Sequence, residues 1–353
     1  MRAGFVPRRR IEMKVLFIGG TGTISTACTE LAARQGVELT LLRRGSQGVD
    51  VPSGVRQLRA DIENPASVEA ALGNEHFDVV VDWIVFTPGQ AARDIRLFAG
   101  RTRQYIFISS ASAYQKPAVD YLITESTPLV NPFWQYSRDK AACEQMFLLA
   151  HREKGFPITI VRPSWTYGDR NIPLPLNSSS HPYTIAARML QGKPVIVPGD
   201  GSSLWVMTHN TDFAKGFNGL FGRQQAIGQA FHITSDEAMS WDQHYKALAA
   251  ALGVEPRLVH ISSDFLAACD PQQLGELTGD KSSSVVFDTS KIKRLVPEFR
   301  CTTPYAEGIR RSVAWFQADP ARQTIDTAAD ALWDKILTGY ERGLQQTLAS
   351  LAQ

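Results

Sequence analysis

The stretch Lys14-Val15-Leu16-Phe17-Ile18 stops abruptly at Gly19-Gly20-Thr21-Gly22-Thr23-Ile24-Ser25, and a helix-compatible segment runs on to Arg34. Few local patterns constrain a fold as tightly. The short apolar run suits a strand buried on both faces. Glycines directly after it let the chain turn sharply and let its amides approach a bound anion at the helix N-terminus. The spacing reads as GxGxxG through Gly20 and Gly22, or as GxxGxxG through Gly19 and Gly22. In both readings Ser25 stands at the third glycine, where close helix–strand packing needs a small residue. By itself such a motif is also compatible with an ordinary βα turn. Its place, straight after the first strand and opening a helix, points to a dinucleotide pyrophosphate held by Gly19, Thr21, Gly22, Thr23 and Ile24.

Further strands are expected at 38–42, 55–58, 78–82, 104–108 and 157–161. Helices are expected to open after Asn64-Pro65 and, as a long one reaching about Arg152, after Asn131-Pro132. Repeated βα units with buried strands imply an α/β fold: a Rossmann-type, doubly wound parallel sheet. The texture changes after Pro163, where a proline-rich loop carries Ser178-Ser179-Ser180. Strands at 194–197, 228–233 and 258–261 follow, with helices at 241–252, 305–316 and 328–348. The expected organisation is a disordered leader over 1–12, with Met13 as the natural start, a dinucleotide-binding domain over 13–165, and a smaller substrate-binding lobe over 166–353. Some segments of that lobe are expected to rejoin the sheet.

Charge narrows the function. Lys and Arg number 37 and Asp and Glu 35, a formal net charge of +2. A polyanion binder carries a strong basic excess, so no nucleic-acid partner is expected. Cys28, Cys143, Cys269 and Cys301 lie far apart without metal-ligand spacing, which excludes a zinc site and a disulfide framework and fits a reducing cytoplasm. No apolar run approaches the ~20 residues that cross a bilayer.

An acidic residue at the end of the second strand would hold a ribose 2′-hydroxyl and favour NAD. The chain has Arg43-Arg44-Gly45-Ser46 there. Guanidinium groups bind phosphate through paired hydrogen bonds, so Arg43 and Arg44 favour NADP over NAD. After the third strand, Asp61 is placed to accept from the adenine amine and Ile62 to pack on the ring; alternatively Asp61 begins a turn.

Tyr136 and Lys140 stand four residues apart on the long helix and share a face. A nearby ammonium is expected to lower the phenol's pKa from about 10, and such a phenol can exchange a proton with a substrate hydroxyl. Ser109, Ser110 and Ser112 end the fifth strand at the sheet edge where ligands bind, so one of them can hold the reacting oxygen.

Together these residues make the chain resemble the extended short-chain dehydrogenase/reductases, the NAD(P)-dependent epimerase/dehydratase family, over about residues 13–320. The resemblance rests on Phe17 to Gly22, Asp61-Ile62, Phe107 to Ser110 with Tyr114, Tyr136 with Lys140, Arg162-Pro163 with Tyr167-Gly168, Gly199-Asp200-Gly201, and Asp212 opening a helix. It implies Tyr136 as acid/base, Lys140 as its partner and ribose anchor, and Ser110 as the matched hydroxyl. It also implies Ser109 and Pro163 beside the cofactor, and Ser164 and Trp165 in the substrate pocket.

Departures sharpen the reading. Ala111 and Ser112 stand where sugar-nucleotide 4,6-dehydratases carry an Asp-Glu pair, which argues against dehydration. Trp205 stands where nucleotide-sugar epimerases place a diphosphate-binding arginine; an indole stacks on a sugar ring but neutralises no diphosphate. The glycine turn and the Leu204-Trp205…Thr208-His209…Asp212-Phe213 stretch look more like a subgroup near the chloroplast stem-loop-binding proteins. Ser112, Trp134, His181 and His209 complete the expected substrate-binding set, by their positions near the helix start and after the sixth strand.

The expected activity is therefore hydride transfer between NADP or NAD and a secondary alcohol of a sugar or sugar-nucleotide-like substrate, through a keto intermediate. Return of hydride to the opposite face makes an epimerase; release of the ketone makes a dehydrogenase or reductase. A non-catalytic RNA-binding or regulatory protein on the same fold is the rival, opposed by intact Tyr136 and Lys140. By analogy with the family, helices near 90–100 and 131–152 offer a homodimer interface.

Overall fold

The computed structural model describes residues 13–45 and 50–353, so the expected leader and Ser46 lie outside the described residues. Its first half alternates β1 (Lys14–Ile18), α1 (Ser25–Arg34), β2 (Glu38–Arg43), β3 (Arg56–Arg59), α2 (Pro65–Leu72), β4 (Phe77–Asp82), α3 (Pro88–Phe98) and β5 (Thr102–Ile108). A two-residue strand β6 (Leu122–Ile123) precedes α4 (Gln135–Lys154), β7 (Ile158–Arg162) and β8 (Trp165–Tyr167). Then come α5 (Thr184–Leu190), β9 (Pro194–Pro198), β10 (Leu204–His209), α6 (Asn210–Gly219), β11 (Gln229–His232), β12 (Ala238–Ser240), α7 (Trp241–Leu252) and β13 (Arg257–Ile261). The chain closes with α8 (Ser263–Cys269), α9 (Gln273–Glu276), β14 (Val286–Phe287), α10 (Ser290–Leu295), α11 (Tyr305–Gln317) and α12 (Thr327–Leu351).

Local chemistry sets many of these boundaries. Asn64 caps α2 by accepting from the Ser67 amide, with Pro65 at the first turn. Thr87 with Gln90, and Ser240 with Gln243, form capping boxes that start α3 and α7. Gly155, in the left-handed conformation, ends α4.

Seven strands make one sheet in the order β11-β7-β5-β4-β1-β2-β3, every pair parallel. Val15, Leu16 and Phe17 are fully buried because helices cover both sheet faces. The strand order reverses between β1 and β4, and the crevice at their C-terminal ends is where such sheets bind ligands. Strand β11 extends the sheet beside β7, and α6 packs on α1, so later segments return to the first half. The short pieces β8, β10 and β12 form a separate three-stranded sheet, β9 pairs with β13, and β6 with β14. Strands of two or three residues carry too little alternation to be read in advance.

Candidate active site

Between β1 and α1 the chain turns through Gly19 and Gly20 at φ of +89° and +95°, a region that side chains with a Cβ rarely adopt. A Cβ on Gly20 would also stand 2.9 Å from Leu41 Cδ2. Ser25 is buried and accepts the Gly22 N–H at 2.8 Å, so the third position stiffens the turn from within. No side chain caps α1 at Ile24, which leaves the helix N-terminus to a ligand. From the later half, Asn210 Nδ2 donates to Thr23 O at 2.7 Å and ties the turn to α6.

Above this turn lies a cleft of about 480 Å³. Its floor runs from Gly19 to Ser25, and its walls include Ile108, Ser109, Ser110, Tyr136, Lys140, Pro163, Ser164 and Trp165. Trp83, Ile84, Phe86 and Thr166 also line it and are absent from the sequence-based set. The signal for the first three was the apolar run that continues past the C-terminal end of β4, next to the crevice. Asp82 shapes that loop: buried at the strand end, it accepts the Ile84 N–H at 2.7 Å and pairs with Arg93 at 3.1 Å.

Tyr136 is half-buried at the start of α4, and Lys140 one turn on is buried. Lys140 Nζ donates to Val85 O at 2.6 Å and Ile108 O at 2.7 Å, and lies 5.7 Å from the Tyr136 ring centroid. Burial pushes this lysine down to about 8. The phenol departs from the expected lowering. Burial pushes Tyr136 above its ordinary value; the Ser110 hydroxyl pulls it down, and the Asp280 carboxylate pushes it up. The reason is geometric: Lys140 is committed to two carbonyls over the ring, not to the phenolic oxygen.

Three hydroxyls form a relay behind the phenol. Ser137 Oγ donates to Ser112 Oγ at 2.9 Å, which is 2.9 Å from Ser110 Oγ. Ser109 lines the cleft but turns its hydroxyl onto Glu144, which holds Arg162 through two hydrogen bonds at 2.9 and 2.6 Å.

A second pocket of about 300 Å³ opens from the same wall and shares Ser110, Tyr136, Pro163, Ser164 and Trp165 with the cleft. Ser112, Trp134 and Trp205 line it as expected residues; Glu276, Asp280 and Lys281 line it as unexpected ones. The last three come from α9 and a π-helical turn over Leu277–Lys281, a distortion frequent at functional sites. Lys281 Nζ sits 4.6 Å from the Trp165 ring centroid and 5.6 Å from that of Trp134.

Several expected site residues fall elsewhere. His209 is buried, with Nε2 3.0 Å from Asp169 Oδ1, Nδ1 2.7 Å from Thr211 Oγ1 and its ring edge-on to Tyr167; it caps α6 and lines neither pocket. His181 pairs with Ser180 in the loop before α5, away from both pockets, because that loop packs toward α12 through Ser178 and Asp326. Ile62 is 3% exposed within the core under the sheet and cannot stack on an adenine. Asp61 spends one oxygen on the Glu63 amide at 3.1 Å, the turn-forming alternative. Arg43 and Arg44 stand at the end of β2 outside the cleft lining; Arg43 Nη2 is held by Gln57, and its buried Nη1 has no partner among the described residues.

Comparison with known proteins adds a family. Residues 15–233 match the model of the NAD dependent epimerase/dehydratase family. The chloroplast stem-loop binding protein of 41 kDa b of Arabidopsis thaliana is 30% identical over 263 residues, 70% of this chain and 66% of that protein. The 2'-dehydrokanamycin reductase of Streptomyces kanamyceticus is 24% identical over 290 residues, 82% of this chain and 80% of that protein. Among solved structures, the dTDP-glucose 4,6-dehydratase of Bacillus anthracis in complex with NAD superposes with a TM-score of 0.69 at 16% identity, covering 88% of this chain and 98% of that one. The UDP-glucose 4-epimerase of Thermus thermophilus in complex with NAD gives 0.67 at 21%, covering 86% and 99%. At these identities the structures speak for the fold alone.

Proposed function

The chain belongs to the NAD dependent epimerase/dehydratase family, and from that premise we propose that it transfers hydride between a nicotinamide dinucleotide and a secondary-alcohol carbon of a sugar or sugar-nucleotide-like substrate. The observation that carries this reading is the shared wall: Ser110 and Tyr136 belong both to the glycine-floored cleft and to the indole-lined pocket.

The cleft fits the cofactor. Its floor is an uncapped helix N-terminus behind two positive-φ glycines, suited to a pyrophosphate. Bound there, a nicotinamide dinucleotide supplies a hydride donor or acceptor. Gly19 to Ile24 would hold its phosphates, and Pro163 and Ser109 would flank it. The unpartnered Nη1 of Arg43 supports NADP over NAD; Arg43→Leu should then weaken NADP binding about tenfold and leave NAD within about twofold.

The protein's own residues manage the proton. Tyr136 gives its phenolic proton to a carbonyl oxygen during reduction and takes it back during oxidation. Ser110 donates a hydrogen bond to the same oxygen. With Ser137 donating to Ser112, the Ser112 proton is available to Ser110, which frees the Ser110 proton for substrate. Lys140 holds the β4–α3 loop against β5 through two carbonyls, keeping the cleft at its width beside the phenol.

Whether the ketone stays for a second hydride transfer separates epimerase from reductase. We favour epimerase by family, and the reductase among the relatives keeps the alternative open to test: an epimerase turns over without net change in nicotinamide absorbance, a reductase consumes the reduced dinucleotide. Tyr136→Phe should lower kcat about 10²-fold or more while dinucleotide affinity stays within about twofold; full activity in that variant would remove Tyr136 from the reaction. Localisation in a reducing cytoplasm and a homodimer through α3 and α4 complete the proposal, and sedimentation of the purified protein checks the latter.

A further inference from the structure

The substrate half of the site carries a donor and an acceptor that have no partner among the described residues. Asp280 is 7% exposed, and its Oδ1 accepts from no group. Trp205 is 3% exposed, and its Nε1 donates to none. Both residues line the 300 Å³ pocket that Tyr136 and Ser110 also face. A buried unmet acceptor and a buried unmet donor each cost roughly 1–3 kcal/mol, so a ligand that brings the complement to both would recover part of that cost.

The surroundings define that complement. Trp134, Trp165 and Trp205 line the pocket, an aromatic lining of the kind that packs against the C–H face of a sugar ring. The cation in its lining is already answered: Lys281 Nζ is 3.5 Å from Asp280 Oδ2 and 3.5 Å from Glu276 Oε2. A diphosphate needs uncompensated guanidinium or ammonium groups, and no arginine lines the pocket. A hydroxyl both donates and accepts, whereas an ammonium only donates. A sugar hydroxyl can therefore donate to Asp280 Oδ1 or accept from Trp205 Nε1.

The segment bearing Asp280 is fixed onto the catalytic helix. A Cβ on Gly275 would stand 2.4 Å from Trp134 Cδ1, and one on Gly279 3.2 Å from Trp134 Cβ, so two glycines seat the indole that begins α4. Asn131 Nδ2 donates to Gly279 O at 2.6 Å and to Ser112 O at 2.7 Å, joining this segment to the serine relay.

We propose that this pocket binds an uncharged sugar ring that carries no nucleotide, with Asp280 and Trp205 reading its hydroxyls and thereby setting substrate specificity. The inference rests on the proposed function only in placing the reacting carbon at Tyr136, and it is tested by binding without turnover.

Tryptophan fluorescence of the full-length protein, saturated with NADP, is titrated with D-glucose, D-galactose, D-mannose, D-glucosamine and UDP-glucose. At least one neutral hexose should bind saturably, with UDP-glucose and D-glucosamine no tighter than it. Asp280→Asn should weaken that binding about tenfold or more, with NADP affinity and melting temperature retained. Trp134→Leu, at a half-buried position, should weaken it by about fivefold or more and guards against misfolding of the first variant. UDP-glucose binding more than about tenfold tighter than every free hexose, tighter binding of the amine, no hexose binding, or unchanged binding in Asp280→Asn would each overturn the proposal. Hexose binding that depends on Asp280, together with hydride transfer that survives in Tyr136→Phe, would remove the catalytic reading and leave this one standing.

Discussion

The phenol of Tyr136 stands where burial and a neighbouring carboxylate both keep its proton on. At neutral pH it is an acid, ready to serve reduction. Oxidation of an alcohol needs the phenolate, so its kcat/KM should rise with pH by about tenfold per unit below the governing pKa. Lys140, whose Nζ is held by two carbonyls, is not among the groups that shift the phenol, so its own titration near pH 8 should leave that rise unbroken. A pH–rate profile checks both; a flat oxidation profile from about pH 6 to about pH 9 would contradict the assignment. The same lysine has a stability signature. Its native pKa of about 8 lies below the unfolded value of ~10.4, so the unfolded chain binds the proton more tightly, and native stability gains as pH rises between the two. At this scale Tyr136, Lys140 and Ser110 were legible because each sits in a local pattern. Asp280 was not: its role depends on a pocket assembled from distant segments. His209 misled because its place in the chain says nothing about Asp169, which claims its ring.

Element α4 is pinned by one buried ion pair. Glu144 bridges Ser109 on the β5 side and Arg162 at the end of β7, both sides of the pair being nearly inaccessible. Glu144→Ala leaves an unpaired guanidinium in the interior and should cost about 3–5 kcal/mol, read from urea denaturation. A loss below about 1 kcal/mol would show that α4 is held by packing alone. The early βα units were legible as elements because apolar strands such as β1 end in a turn and Asn64-Pro65 marks the start of α2, although α1 opens without a side-chain cap. The two- and three-residue strands, and the π-helical turn over 277–281, were not; the strands' hydrogen bonds come from segments far along the chain.

Across the whole molecule, the glycine turn is shared property. Asn210 reaches it from α6, and α6 lies against α1. Dinucleotide bound only by the folded state should add about 2.7 kcal/mol at a hundredfold excess over Kd, seen as a rise in melting temperature. Asn210→Ala should weaken that affinity about tenfold by loosening Thr23, with little change in the unliganded melting temperature; unchanged affinity would make the tie dispensable. The sheet and its crevice followed from the repeated strand–helix rhythm. The indole-walled pocket did not, since it forms only where α4, β8, β10 and the 273–281 segment meet.

The most direct measurement is transfer of deuterium from 4-deuterated reduced nicotinamide dinucleotide to a panel of keto-sugars, read by mass spectrometry, with dinucleotide affinity measured in parallel. The wild-type protein should place the label on a carbinol carbon, and Tyr136→Phe should do so about 10²-fold more slowly at equal affinity. Equal transfer by the variant, or a wild-type protein that binds no dinucleotide, would contradict proton transfer by Tyr136 beside the glycine-floored cleft.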